Sequence, residues 1–391
     1  MKPRRLLLRE GYFLVDGGFQ LCDLRITGST ISDLGPGLHA LPNEKVVSLA
    51  GLHVVPGLIN SHDHLEFNLY HRLGHPPYQN YVDWANDIQK TEKCAIKKVS
   101  QVPLKYRLLW GAYKNILSGV TTVVHHNRYY GFFRFNYPLE VYHPYQWIHS
   151  LRLEKRDIKK LLTHNNTIRF IHLAEGIDSV AGNELYELMS LGGLNDNTII
   201  IHGIGLSAQD IVNLAAKRRG LVWCPSSNIY LFGKTAPIEK MIGVVPIALG
   251  TDSTLTGSLS LFDEMRFAST AKGIGGRDLI DMVTSSPAKM LQINKGVIHR
   301  GAAADLLMFE SDNQYPFETF LALSPKKVKC VWKNGLPIFG DIEFAEPSTW
   351  HNRNTRFDIA GTEKFIKGDF WGLCERIKRS SPSLDLPRIA N

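Results

Sequence analysis

No stretch of this 391-residue chain reaches the roughly 18 consecutive apolar residues that a membrane span needs. Cysteine is sparse: the five residues Cys22, Cys94, Cys224, Cys330 and Cys374 are scattered, odd in number and without a C-x-x-C pair. That excludes a disulfide scaffold and points to reduced thiols in the cytoplasm. There is no internal repeat and no low-complexity tract, which excludes solenoid and fibrous architectures. With 44% hydrophobic and 21% charged residues, disorder is excluded as the main state. The opening Met1-Lys2-Pro3-Arg4-Arg5-Leu6-Leu7-Leu8 is basic and then apolar. Its apolar part ends at Arg9 and Glu10, too early for a signal peptide.

The net charge is +8, and part of it is local. Lys90, Lys93, Lys97, Lys98, Lys105 and Arg107 stand against Glu92 alone in that stretch. A basic patch can bind nucleic acid or an acidic partner. With no nucleic-acid motif beside it, the patch reads as a solvated helix face. The expected partner is a small-molecule substrate, with neither nucleic acid nor membrane.

Both chain ends read as β structure. Gly11–Gly18 is a strand running into an Asp-Gly-Gly turn, followed by strands at Leu24–Gly28 and Lys45–Leu49. Ala304–Phe309 and Val328–Gly335 have the same character. Two β ends can pair into one small sheet domain. The middle alternates short apolar strands with helical patterns. The strands are His53–Leu58, Val120–Val124, Trp147–Leu151, Thr167–Leu173, Thr198–Ile201, Leu221–Cys224 and Pro246–Leu249. Helices are expected at Val102–Ser118, Arg156–His164, Asn183–Leu191, Ala208–Arg218 and Leu261–Ala271. Such alternation predicts an α/β fold with a parallel sheet. One region fits badly. If Thr167–Leu173 is a fifth strand, three units must share residues 125 to 172, about half the usual 30 residues each. Residues 126–150 are aromatic and weakly helical, so a helix is missing there.

Metal-binding side chains gather at the C-terminal ends of these strands. His62 and His64 follow the first, and residues i and i+2 of an extended strand point the same way. His172, His202 and Asp252 end three later strands. Surface or core histidines often produce a lone His-x-His. Five such groups at strand ends, on the face where barrel active sites lie, form a catalytic divalent-metal site. Imidazole and carboxylate suit zinc or iron(II). His125 and His126 also end a strand, but nothing in the sequence fixes them as ligands. His71, His75, His143 and His149 read as surface or packing residues.

Pro56-Gly57-Leu58-Ile59-Asn60-Ser61-His62-Asp63-His64 resembles the opening motif of the amidohydrolase superfamily. His172-Leu173-Ala174-Glu175, Ile201-His202-Gly203, Cys224-Pro225-Ser226-Ser227-Asn228 and Leu249-Gly250-Thr251-Asp252-Ser253 resemble successive motifs of its aminohydrolase and chlorohydrolase branch, which includes cytosine, guanine and S-adenosylhomocysteine deaminases. Gly301–Leu306 resembles the return into the small β domain, so the likeness runs over roughly 10–340. The resemblance implies a (β/α)8 TIM barrel over 53–296. It implies a composite β-sandwich built from 1–52 and 297–345, and leaves 346–391 as a C-terminal tail. That tail holds Trp350, Phe357, Phe365, Phe370 and Trp371, with Thr362–Arg379 expected helical and an extended end. The likeness also implies His62, His64, His172 and Asp252 as ligands of one divalent ion, zinc ahead of iron(II). It implies His202 as the group that orients the metal's water, Glu175 as acid/base and Asp252 as proton acceptor. Some relatives hold two metals through a lysine on the fourth strand; the expected fourth strand, Tyr145–Leu151, has none. The separate zinc deaminases with P-C-x-x-C are excluded, because that motif is lacking.

The loop after His64 is aromatic, and Trp84 could stack on a flat heterocycle or pack a lid. Arg72-Leu73-Gly74 only approximates the Arg-Gly of the family. Asn228 and His125 are further substrate-side candidates. The first reading is a metal-dependent aminohydrolase that replaces an amino group on an N-heterocycle or amidine-like carbon with oxygen, through a metal-activated water. Hydrolysis of a cyclic amide C–N bond or a halide at the same site is the second. The third is a barrel that has lost catalysis and serves as a binding protein. Glu175 favours the first, since ring-nitrogen protonation needs an acid there. Branch members are often dimers, and the tail's aromatics permit a homodimer.

Overall fold

The computed structural model describes residues 4–135, 137–163, 167–217, 219–312, 314–346 and 354–388. Trp350 and the expected helix ends at His164 and Arg218 lie outside them. Eight short parallel strands carry the middle of the chain. They are β1 (Leu58–Asp63), β2 (Val120–His125), β3 (Glu140–Val141), β4 (Gln146–Ile148), β5 (Arg169–Leu173), β6 (Thr198–His202), β7 (Leu221–Trp223) and β8 (Ile247–Leu249). β1, β2 and β3 form one parallel sheet, and β4 through β8 another. Asp63 bridges Asp252 in parallel, so β1 meets the chain just beyond β8. His64 N–H donates to the Asp252 carbonyl at 2.6 Å, and Asp252 N–H to the His62 carbonyl at 3.0 Å. This is a TIM-barrel-type α/β arrangement. Among the described residues no ladder joins β3 to β4.

The strands are apolar on both faces because both faces are covered. Ile59, Val124, Phe170, Ile199, Ile201, Val222 and Ala248 pack together on one side. Val123, Ile171, Leu173, Ile200, Leu221, Trp223 and Leu249 pack outward with the helices. Those helices include Leu104–Leu117, Ile158–Leu162, Ser179–Ser190, Ala208–Ala215 and Leu261–Lys272, close to their expected places. The compressed region is as tight as its length demands. Among the described residues between β2 and β4 there is only a 3-10 turn at Gly131–Arg134 and the two-residue β3. Aromatic rings fill the helix positions: Phe133 packs on Tyr137 at 4.8 Å and on Tyr129 at 5.4 Å. Tyr137 donates to the Leu108 carbonyl at 2.6 Å.

Both chain ends join one ten-stranded sheet. Leu52–Pro56 pairs antiparallel with Leu306–Glu310, fastening the N-terminal strands to the C-terminal ones. The expected strand His53–Leu58 is therefore two strands. The first belongs to this sheet, and β1 begins after Gly57. Both runs are uniformly apolar, so only Pro56-Gly57 marks the break, and a Cβ at Gly57 would lie 2.5 Å from Thr121 Oγ1. The expected helix Thr362–Arg379 is also corrected. Thr362–Lys367 is a strand paired with Asn354–Ile359 and Leu336–Asp341, and the helix starts at Phe370. Asp369 caps it by accepting from Gly372 N–H at 3.2 Å. Phe370 packs on Tyr113 and Trp110 of the helix Leu104–Leu117, at 5.2 and 6.0 Å. No described helix is long and apolar enough to cross a membrane.

The helix Leu104–Leu117 also fixes the end of β1. Gly111 lets it approach closely, since a Cβ there would collide with the Leu65 carbonyl. Beyond it Lys114, fully buried, donates to Asp63 Oδ2 at 3.2 Å, Asn68 Oδ1 at 2.8 Å and Thr251 Oγ1 at 3.1 Å. Asn60, Asn68 and Asn115 also donate to the Asp63 carboxylate. Breaking a buried pair leaves a charge uncompensated, which costs about 3–5 kcal/mol. Lys114→Met should therefore lower stability by about 3 kcal/mol, read as a lower urea midpoint. An unchanged midpoint would show that the asparagines alone support Asp63.

Candidate metal centre

An extra residue bulges β1: Asn60 pairs with Val123, and Asp63 with His125. Asn60 and Asp63 thereby reach Asn115 and Lys114 on the outer helix. His62 and His64 face inward, as their i, i+2 spacing predicts. β5 brings Phe170 and then His172 inward by strict alternation. His202 and Asp252 arrive differently. Both have left-handed backbone, φ 74° and 61°, which swings their side chains off the strand alternation. Non-glycine residues in this region cluster at functional sites.

The groups converge. His62 Nε2 lies 3.3 Å from Asp252 Oδ1 and 3.2 Å from His172 Nε2. His64 Nε2 is 3.6 Å from the same Asp252 oxygen. Donor atoms of His62, His172 and His202 lie within 4.8 Å of one another, as do those of His62, His64 and Asp252. Burial disfavours the imidazolium form of all four rings and draws their pKa values down, that of His202 to about 4. Burial opposes ionisation of Asp252 too, but its hydrogen bond and charge interaction with His62 outweigh this and hold the carboxyl well below its usual range. Ser227 and Thr256 hydroxyls donate to Asp252 Oδ2 at 2.8 and 2.6 Å, leaving Oδ1 towards the histidines. Ring nitrogens of neutral imidazoles gathered around one ionised carboxylate present a set of lone pairs that a single cation would satisfy together. The donor set fits a borderline divalent ion such as zinc or iron(II).

Two further groups complete the site. Asn228 Oδ1 is 2.8 Å from His202 Nδ1, so Nδ1 carries the proton and Nε2 presents its lone pair to the centre. Glu175 Oε1 stands 3.7 Å from that Nε2. Burial, with Asp252 and Glu184 nearby, pushes the Glu175 carboxyl well above its ordinary value. A cavity of about 70 Å³ opens on His64, His172, Glu175, His202 and Asp252. Phe67, Trp84, Leu231 and Leu255 supply its apolar walls. Tyr81 and Trp84 reach it from one helix, Tyr81–Thr91, whose first turn is capped by Asn80 accepting from Val82 and Asp83 N–H.

The three substrate-side candidates separate. Trp84 lines the cavity, its indole N–H donating to the Leu73 carbonyl at 3.2 Å. Asn228 is fully buried behind His202 and orients that ring. His125 is fully buried beside Glu66, Tyr130 and Phe133, away from the cavity lining. Its neighbour His126 packs at a tilt against His172, ring centres 4.2 Å apart, and is anchored by the Ile148 carbonyl at 3.1 Å. Sequence reasoning missed His149, which read as a surface or packing residue. It lines the cavity 5.4 Å from His172. Its place just beyond β4 was the signal, obscured by the shortness of that strand. Thr256 was also missed; it closes the Thr-Asp-Ser-Thr-Leu-Thr turn after β8.

A family profile described as the amidohydrolase family matches residues 155–338. A 5-methylthioadenosine/S-adenosylhomocysteine deaminase of Pyrococcus furiosus is 26% identical over 371 residues, covering 78% of this chain and 86% of the relative. One of Thermococcus sibiricus is 26% identical over 374 residues, covering 78% of this chain and 85% of its own length. Among solved structures, a zinc-bound adenosine deaminase from Xanthomonas campestris superposes with a TM-score of 0.75 at 17% identity, over 98% of this chain and 99% of its own. An atrazine chlorohydrolase from Arthrobacter aurescens, complexed with zinc and atraton, superposes at 0.72 with 15% identity, over 96% and 100%. These structural likenesses are of fold. The profile and the relatives liken this chain to the amidohydrolase family, and with the metal-ligating cluster they support a hydrolase acting on C–N bonds.

Proposed function

We propose that this protein is a mononuclear metal-dependent aminohydrolase that replaces an amino group on an N-heterocycle or amidine-like carbon with oxygen and releases ammonia. The observation that carries the reading is the buried Glu175 carboxyl, biased towards its protonated form, beside a neutral histidine cluster and an ionised Asp252. The relatives' activity on an exocyclic amine of an adenosine derivative supports it. His62, His64, His172 and Asp252 would hold the ion, zinc ahead of iron(II). When bound, the ion acidifies water and polarises the bond under attack. Asp252 Oδ1 takes the water's proton, with Oδ2 pinned by Ser227 and Thr256. His202 Nε2, its tautomer set by Asn228, orients the water by accepting a hydrogen bond. Glu175 gives its proton to the ring nitrogen next to the attacked carbon. The Asp252 proton then leaves with the amine as ammonia, and the proton of the new hydroxyl passes to Glu175 as the carbonyl forms, restoring both carboxyls.

Trp84 and Phe67 offer faces against which a flat ring can lie. The architecture that goes with this reading is a closed (β/α)8 barrel from β1 onward, beside a β domain built from both chain ends that takes in Leu52–Pro56 and the strands Asn354–Ile359 and Thr362–Lys367. The five unpaired cysteines suit a cytoplasmic enzyme.

Elemental analysis of the purified protein should find about one zinc or iron per chain, and much less in Asp252→Ala. A screen for ammonia release over purines, pyrimidines, pterins and amidines then identifies the substrate class. Metal without ammonia would turn the reading to amide-ring or halide hydrolysis, and no metal after reconstitution would end the enzyme reading. Glu175→Gln should keep its metal and lose kcat by about 10²–10⁴-fold, the usual worth of a positioned general acid. A loss below about threefold would remove Glu175 from the chemistry.

A further inference from the structure

On an extended strand His172 and Ala174 share one face, and Glu175 belongs to the other. The cavity receives both His172 and Glu175, so the backbone must turn between them. It does so at Ala174, with φ 52°, a left-handed conformation that an alanine adopts only under constraint. The Ala174 carbonyl accepts from Gly205 N–H at 2.8 Å. Its N–H is met by Glu184 Oε2, also at 2.8 Å. Glu184 lies on the helix Ser179–Ser190 and is fully buried. Its other oxygen accepts from the Tyr81 hydroxyl at 2.6 Å. Tyr81 in turn gives its backbone N–H to the Glu175 carbonyl at 3.2 Å. One carboxylate thus closes a ring of contacts around the two peptides that set the direction of Glu175. The next residues are zipped to the same loop, with Gly176 bridged to Asn80 and Ile177 N–H donating to the Gln79 carbonyl at 2.7 Å.

We infer that Glu184 is a positioning residue: it holds Ala174 in the left-handed turn and so directs Glu175 into the cavity. The inference rests on the reading of Glu175 as proton donor, and its test separates the two. Zinc-loaded full-length protein is compared as wild type, Glu184→Leu, and Glu184→Leu with Ala174→Gly. Crystal structures read φ at residue 174 and the Glu175–His202 separation, 3.7 Å in the wild type. Elemental analysis reads zinc, and ammonia release from the active compound of the screen reads kcat and KM.

In Glu184→Leu the Glu175 carboxyl should move by about 1 Å or more and kcat fall about 10- to 100-fold, with KM within about twofold and zinc unchanged. Glycine takes the left-handed turn without steric cost, so the double variant should recover at least about tenfold. It should also fold if Glu184→Leu alone does not. In a Glu175→Gln background Glu184→Leu should cost nothing further, because the group it positions is gone. An unmoved Glu175, a loss that multiplies in that background, or a double variant that neither folds nor recovers would each overturn the inference. Full activity of Glu175→Gln, or a screen without ammonia, would instead defeat the proposed reaction. The crystallographic displacement would still decide the role of Glu184.

Discussion

The ion pair between Lys114 and Asp63 sits at 3.2 Å where no solvent reaches it, immediately behind the histidines of β1. Taking two charges out of water is expensive, and it is tolerable only if every remaining lone pair and proton is used. Here three asparagines donate to the carboxylate, and the ammonium has three acceptors. The network ties three parts of the chain together: the end of β1, the helix Leu104–Leu117 and Thr251 beyond β8. His62 and His64 flank Asp63, and Asp252 follows Thr251. The spacing of three of the four proposed ligands is thus set from behind, by groups that never face the cavity. Neutral imidazoles hold one another only through single N–H···N contacts, such as that between His62 and His172. A rigid polar frame is what keeps them assembled.

The same economy recurs at the other strand ends. Ala174, His202 and Asp252 all carry left-handed backbone, the first just past β5, the second closing β6 and the third three residues beyond β8. A single residue of this kind costs about 1–3 kcal/mol and persists only where its surroundings over-determine it. For Asp252 the surroundings are the backbone bonds to His62 and His64. For His202 they include Asn228, whose amide holds both the ring and the His202 carbonyl. For Ala174 they are Gly205 and Glu184. Strands aim side chains by alternation, and a catalytic cluster needs more inward groups than alternation supplies. The strained residues provide the difference.

Much of this was legible in the sequence, and the reason is physical. A short, doubly buried strand is a run of Ile, Val and Leu, and a polar residue at its end stands out. His62, His64, His172, His202 and Asp252 were visible for that reason, and the structure brings all five together. Features that depend on packing were not. Aromatic rings replace helices over residues 126–145, so no periodicity announced β3 or the approach of His149 to the cavity. Leu52–Pro56 and β1 read as one run because burial gives both the same composition. Thr362–Lys367 read as helix because it does not alternate: Lys364, Phe365 and Ile366 are buried in succession, between strands on both sides. Glu184 looked like any helical acid, since its partners come from residues 103 and 10 positions away.

The two carboxyls at the centre show how far burial alone can separate chemically identical groups. Both Glu175 and Asp252 are buried, which by itself favours the protonated form of each. Asp252 escapes because it touches His62 and lies beside His64, and two hydroxyls donate to its outer oxygen. Glu175 stands 3.7 Å from His202 Nε2, and the charges it feels are those of Asp252 and Glu184. Each carboxylate that stays ionised makes ionisation of Glu175 harder. The proposed reaction needs one acid and one base a few ångströms apart, and pairs of groups whose environments push them in opposite directions meet that need. The apolar walls of Phe67, Trp84, Leu231 and Leu255 keep solvent from levelling the difference. The surroundings of the two carboxyls thus bias them in opposite directions, Glu175 towards its protonated form and Asp252 towards its ionised one, which is the division of labour the proposed reaction calls for.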